Sequence, residues 1–330
     1  MSGNDGERMI LNLQLLRAFA ALNVVVFHII STATSYGYET NLISSLRGWG
    51  ANGVDIFFVI SGFVMLYTQL DDKRTVKNFL ISRAIRIIPL YWLLTFAIII
   101  AYIFAPSVFR ELVITTEYAL ASLGFISNTF MGEEPILYLG WTLEWEMLFY
   151  LVFGLSLWFR SWVVILSLTS LVLIGVAFAS SNFIVLEFIA GLLIALLFKL
   201  YGFNSFGKVS LVLGGILLSL SISEEVRALI ENRVILWGLP SIFIVYGIVA
   251  APQINSKLGK LLGDASYSIY LIQVFSIPIF YKLLVALNIQ LSNDVLALAC
   301  LIATAIAGTV MYLFIEKPMT NLIKERVYSK

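Results

Sequence analysis

The chain is poor in charge. Only 12% of its 330 residues are Asp, Glu, Lys or Arg, against the ~25% usual in soluble domains. It has one cysteine, Cys300, which excludes an intramolecular disulfide. It has one histidine, His28, so any imidazole chemistry falls to that residue. A single histidine and a single cysteine far apart give no metal-ligand spacing, and no metal is expected. There is no Walker-type phosphate loop, no Gly-x-Ser-x-Gly elbow and no dinucleotide fingerprint. The 21 basic and 20 acidic residues nearly cancel, which leaves no overall basic field to attract nucleic acid.

Apolar residues are abundant instead. They make up 60% of the chain, and the mean hydropathy is +0.94. Soluble packing does not hide that much apolar surface, so lipid is the expected solvent. The first apolar run, Leu13 to Ile30, follows a segment with Asp5, Glu7 and Arg8 that is not net positive. It has no clean small-x-small cleavage site, and it reads as a retained span rather than a removed signal.

Runs of about 20 apolar residues predict spanning helices. They fall at Leu13–Ser31, Val54–Leu70, Ile87–Ala105, Gly140–Phe159, Trp162–Ala179, Phe183–Leu200, Val209–Ile222, Val234–Ala250, Ser266–Leu287 and Val295–Ile315. The segment Leu112–Phe130 carries Glu117, Asn128 and several Ser and Thr, and reads as a surface or re-entrant helix. With the N-terminus inside, 15 of the 21 basic residues fall on inside segments and 4 on outside ones, while Arg17 and Lys282 lie within spans. That bias follows the positive-inside rule. The expected fold is an all-α polytopic bundle of about ten transmembrane helices, both termini cytoplasmic. It forms a single membrane domain over 1–330, with short cytoplasmic ends at 1–12 and 316–330.

Ionisable residues inside spans are costly and stand as functional candidates. Arg17 and His28 share the first span, eleven residues apart, which puts them on one helical face about 16 Å apart along the axis. Asp55 opens the second span, and Glu146 lies six residues into the fourth. This reading places His28, Asp55 and Glu146 at similar depth in the outer half. A carboxylate that orients a neutral imidazole makes a general base. The competing reading is a structural hydrogen-bond network, with Arg17 snorkelling to the inner interface. Glu144 lies about 200° round the helix from Glu146, so the two acids cannot face one site. Glu187 reads as structural, and Gly191 and Cys300 read as packing positions. On the inner side, Arg83 and Arg86 share a helical face in a basic segment that also holds Lys73, Arg74 and Lys77. Such a pair suits a phosphorylated ligand or, equally, anionic lipid.

These residues resemble the membrane acyltransferase-3 family, polytopic enzymes that acylate sugars and other acceptors. Arg17 and His28 match its Arg/Lys-x10-His motif, and Gly53 to Phe63 looks like its second-span motif. Arg83-Ala84-Ile85-Arg86 with Pro89 and Tyr91 resembles its Arg-x-x-Arg segment. Trp141-Thr142-Leu143-Glu144-Trp145-Glu146-Met147-Leu148-Phe149-Tyr150 is similar to the form found in exopolysaccharide O-acetyltransferases, with Glu146 aligned to the family's acid. Ser266 to Leu271 and Glu316-Lys317-Pro318 fit its C-terminal elements. The chain departs from the pattern at Gln273, where many members carry a histidine, so no second imidazole is available.

The resemblance implies transfer of an acyl group, expected to be acetyl from acetyl-CoA, to a sugar hydroxyl of a cell-surface or lipid-linked glycan. The expected setting is the lipid of a bacterial cytoplasmic (inner) membrane. On that basis Arg83 and Arg86, with Arg17, hold the CoA phosphates. His28 is general base or acyl carrier, and Asp55 or Glu146 orients it. A proton-coupled transporter is the rival class and a membrane scaffold the third. Buried Arg, His, Asp and Glu fit a transporter, but no internal repeat or pair of broken helices accompanies them. Oligomeric state, acceptor sugar and acyl chain have no signature in the sequence.

Overall fold

In lipid the backbone has no water to bond, so each apolar run must satisfy its amides internally and becomes a helix. The computed structural model describes residues 10–40, 43–71, 74–106, 113–289 and 291–329, and among these it contains helices and no strand. Asp5, Glu7, Arg8, Lys73, Arg110, Glu111, Leu112 and Lys330 lie outside the described residues.

The helices are α1 (Leu11–Ser35), α2 (Asn52–Asp71), α3 (Val76–Phe104), α4 (Thr116–Leu123), α5 (Ser127–Met131), α6 (Gly140–Ser156), α7 (Trp162–Ser180) and α8 (Leu186–Tyr201). They continue with α9 (Ser205–Leu220), α10 (Glu224–Leu229), α11 (Leu239–Ala250), α12 (Lys257–Asp264), α13 (Ser266–Ala286), α14 (Asn293–Met311) and α15 (Lys317–Tyr328). Two π turns interrupt the helices, Val234–Gly238 before α11 and Tyr312–Glu316 between α14 and α15. Side-chain caps start several helices. Thr75 accepts from the Asn78 amide at α3, Thr115 from Tyr118 at α4, and Ser256 from Gly259 at α12.

By length and composition, seven helices among the described residues can cross a membrane, and the protein is an integral membrane bundle. The sequence predicts ten. The three remaining candidates are shorter: α6 has 17 residues, α9 has 16, and Val234–Ala250 joins a π turn to 12 residues of α11. The segment expected to be re-entrant folds as two short helices of 8 and 5 residues, α4 and α5. Neither is long enough to span.

Small residues let the central helices touch. A Cβ on Gly62 would lie 2.1 Å from the Phe188 carbonyl oxygen, and one on Gly191 would lie 2.1 Å from that of Val59. The α2–α8 seam therefore depends on both glycines, the close-packing device of membrane helices. Aromatic rings extend this seam to α6. Phe188 stacks on Phe58 at 4.5 Å and on Phe149 at 4.4 Å. Phe104, Phe178 and Phe314 point outward, where lipid is the expected neighbour. An ion pair between Lys199 and Asp71 puts the C-terminal ends of α8 and α2 on one face. The α2–α6–α8 core thus fixes the heights at which the polar side chains of α2 and α6 sit.

Candidate active site

A cavity of 320 Å³ runs between α1, α2, α3, α6 and α13. Thr68 and Val54 both line it, and their separation on α2 corresponds to a length of about 21 Å. Arg17, Arg74, Arg83 and Arg86 all border it, so the three predicted phosphate-binding arginines do meet in one place. Arg17 reaches Gln14 Oε1 at 3.4 Å and feels the charges of Arg86, Glu316, Asp264 and Glu146. The Arg83 guanidinium lies 5.9 Å from the ring centres of both Phe79 and Tyr150, a cation–π arrangement. Among the described residues, neither Arg83 nor Arg86 has a carboxylate within ion-pair distance. Two guanidinium groups without a carboxylate partner, lining a cavity in lipid, favour an anionic ligand.

Glu146 belongs to this cavity. Its Oε1 accepts from Ser61 Oγ at 2.7 Å and from Tyr150 Oη at 2.5 Å, one turn further along α6. Its neighbour Glu144 turns away, as the helical count predicts. Glu144 accepts from Ser127 Oγ at 2.8 Å, from the Asn128 amide at 3.0 Å, and from the Thr129 amide and hydroxyl at 2.9 and 3.1 Å. It thereby caps α5 and ties the α4–α5 segment to α6. In that segment Tyr118 Oη donates to the Glu134 carbonyl at 2.6 Å. Burial, then Glu133 and Glu134, push the Tyr118 phenol above its ordinary pKa.

His28 lies elsewhere. It is part-buried on α1, and its Nδ1 is 3.3 Å from Tyr138 Oη. The two rings meet edge to face with centres 5.3 Å apart, and Phe27 packs against the imidazole at 4.8 Å. Tyr138 sits in the turn just before α6.

Asp55 lies in a third environment. It is fully buried and pairs with Arg233, which donates through Nε at 3.1 Å and Nη2 at 2.7 Å. Arg233 also bonds the Ala51 carbonyl at 3.1 Å and lies 5.0 Å from the Trp237 ring centre. Buried Glu187 is beside this pair and against Gly238 of the π turn.

The grouping of His28, Asp55 and Glu146 as one trio is therefore corrected. Glu146 lies six residues inside α6, about 9 Å below its first residue, while Tyr138, before that residue, is the group level with His28. Asp55 is already engaged by Arg233. The hydroxyl in contact with His28 is that of Tyr138, which carries no charge and so gives no signal in the sequence. Arg233 reads in the sequence as an ordinary loop cation, because its partner is 178 positions away. Glu316, present in a recognised motif, accepts from Ser268 Oγ at 2.6 Å and shares the field at Arg17. Gln273 is fully buried and donates to the Tyr270 carbonyl at 2.8 Å. The described residues hold no cluster of metal-ligating side chains.

Comparison with known proteins adds independent information. Residues 10–314 match the model of the family described as Acyltransferase domain, the acyltransferase-3 group. The exopolysaccharide production protein ExoZ of Rhizobium meliloti is 36% identical over 301 residues, which is 82% of this chain and 89% of that protein. The peptidoglycan O-acetyltransferase OatA of Listeria monocytogenes is 27% identical over 194 residues, 53% of this chain but only 29% of its own length. The putative peptidoglycan O-acetyltransferase YrhL of Bacillus subtilis is 28% identical over 169 residues, 46% of this chain and 24% of that protein. No solved structure matches.

Proposed function

The chain belongs to the acyltransferase-3 family, and from that premise we propose that it moves an acetyl group from acetyl-CoA to a sugar hydroxyl of a surface or lipid-linked glycan. The observation that carries this reading is that one cavity gathers Arg17, Arg83 and Arg86 and runs toward the turn holding His28. The arginines supply the phosphate sites of the donor. The narrow volume suits a thin thioester arm rather than a bulky headgroup. The resemblance to ExoZ, a protein of exopolysaccharide production, favours a polysaccharide acceptor.

In this reading His28 is the general base. With Nδ1–H donating to Tyr138 Oη, Nε2 carries the free lone pair. The sugar hydroxyl loses its proton to Nε2 as its oxygen attacks the thioester carbonyl. The C–S bond then breaks, and the imidazolium returns that proton to the departing thiolate. The products are an O-acetyl ester and CoA thiol. The acceptor approaches from the His28 face, opposite the arginines. Under the positive-inside reading, that face is the outer one, and the membrane is the bacterial cytoplasmic membrane.

Two measurements test the proposal. Detergent-purified protein is expected to release CoA thiol from acetyl-CoA when a glycan acceptor is added. Surface glycan from a strain lacking the protein is expected to lose O-acetyl signals by NMR. Unchanged acetylation in that strain would refute the acceptor assignment, and no thiol release with any acyl-CoA would refute the donor.

A further inference from the structure

The donor cavity and His28 do not share a wall. The cavity ends at Val54, Phe57, Thr142 and Tyr270, and His28 does not line it. At that end, Tyr270 Oη is 2.8 Å from Thr142 Oγ1 and donates to the Leu139 carbonyl at 3.2 Å. Thr142 Oγ1 also lies 3.1 Å from the same carbonyl. Tyr270 and Thr142 are 6% and 5% exposed, so the cluster is buried at the end of the cavity it lines. The Phe57 ring backs Tyr270 edge-on at 6.3 Å. Tyr138, which holds His28, directly precedes Leu139, which holds Tyr270. One turn of chain therefore carries the imidazole on one side and the end wall of the cavity on the other.

We propose that the Thr142–Tyr270 hydrogen bond is a gate between the donor cavity and His28. The inference rests on the donor reading above. Closed, the pair keeps the thioester from the base and from water on the acceptor side. Open, with Tyr270 turned off Thr142 and Leu139, it lets the acyl group reach His28. A hydrogen bond between two neutral hydroxyls suits this task, since it is weak on balance and breaks without leaving a buried charge. Tyr270 is thus a positioning residue that governs access, and it takes no part in bond making.

The gate is tested by access rather than turnover. His28→Cys in a Cys300→Ala background places one thiol behind the gate. In sealed membrane vesicles, a small membrane-impermeant methanethiosulfonate is applied to the arginine face. Labelling is expected to be slow in that chain, and severalfold faster when Tyr270→Phe or Thr142→Val is added. Each substitution removes the same bond from a different helix, so the pair together should add little to either alone. Unchanged labelling in both variants overturns the gate, as does equal labelling of the parent chain from either face. In parallel, Tyr270→Phe with His28 intact is expected to raise acceptor-independent hydrolysis of acetyl-CoA at unchanged KM. Faster labelling in a protein that never turns over acetyl-CoA would uphold the gate and refute the donor reading.

Discussion

Glu144 and Glu146 lie two residues apart on α6, and their carboxylates are held by different parts of the molecule. Glu144 binds Ser127, Asn128 and Thr129 of α5, and Glu146 binds Ser61 of α2 and Tyr150 of its own helix. The first acid anchors the α4–α5 segment, which packs on α3 through Tyr91 and Phe125, and the second faces the arginine cavity.

Their substitutions should separate stability from activity. Glu144→Ala removes several hydrogen bonds to a buried carboxylate, each worth about 1.5–3 kcal/mol, and is expected to lower the melting temperature in detergent. Glu146→Gln keeps the shape but removes the negative charge that faces Arg17 in the donor cavity, and is expected to change acetyl transfer with little change in melting. Equal effects of the two on both readouts would contradict the division of roles.

His28→Ala is expected to abolish transfer while the protein still inserts and accumulates, because no other imidazole exists in the chain. General-base groups contribute about 10²–10⁴-fold. Tyr138→Phe should retain part of the activity but move the acid limb of the pH–rate profile, since it alters the partner of Nδ1 of the general base. A profile of unchanged shape would remove Tyr138 from the orienting role.

Arg83→Ala combined with Arg86→Ala is expected to raise the KM for acetyl-CoA and leave the acceptor KM alone. Two lost contacts to phosphate, at about 1.5–3 kcal/mol each before screening, correspond to a tenfold or larger loss of donor affinity. Titration of acetyl-CoA against monodisperse double mutant checks this. Unchanged donor affinity would move the phosphate site toward Arg17.

Asp55 is expected to act on stability first. Breaking a buried pair from one side is costly, about 3–5 kcal/mol when both groups are fully buried. Here the figure should be smaller, because the Arg233 side chain is 33% exposed. Arg233→Met leaves Asp55 and Glu187 together without their cation, and should melt lowest. Arg233→Met with Asp55→Asn should recover part of the loss. Additive losses in the double mutant would mean the two residues do not work as a pair.

The helical spans were legible because apolar runs near twenty residues have one stable form in lipid. The divergence of Glu144 from Glu146 was legible for the same local reason, as 200° follows from counting residues. Depth was not. The height of Glu146 relative to His28 depends on where α6 begins and how it packs through Phe149 and Phe188, and no single helix encodes that. Long-range partners were equally hidden. Asp55 looked available until Arg233 closed on it, and Tyr138 carries no charge to mark it. Arg17, Arg83 and Arg86 were found together because their motif was recognised; their periodicity alone fits lipid binding as well.

The two π turns have a consequence for insertions and deletions. A π turn holds one residue more than the α turn it replaces. Deleting one residue from Val234–Gly238 would close it to an α turn and leave the flanking chain on the faces it now has, so Arg233 would still point at Asp55. The same applies at Tyr312–Glu316, on the approach to α15. Deleting a residue from an ordinary α turn would instead rotate everything beyond it by about 100° around the axis. The two π turns are thus places where the bundle absorbs a change of one residue in length without rewiring its charges.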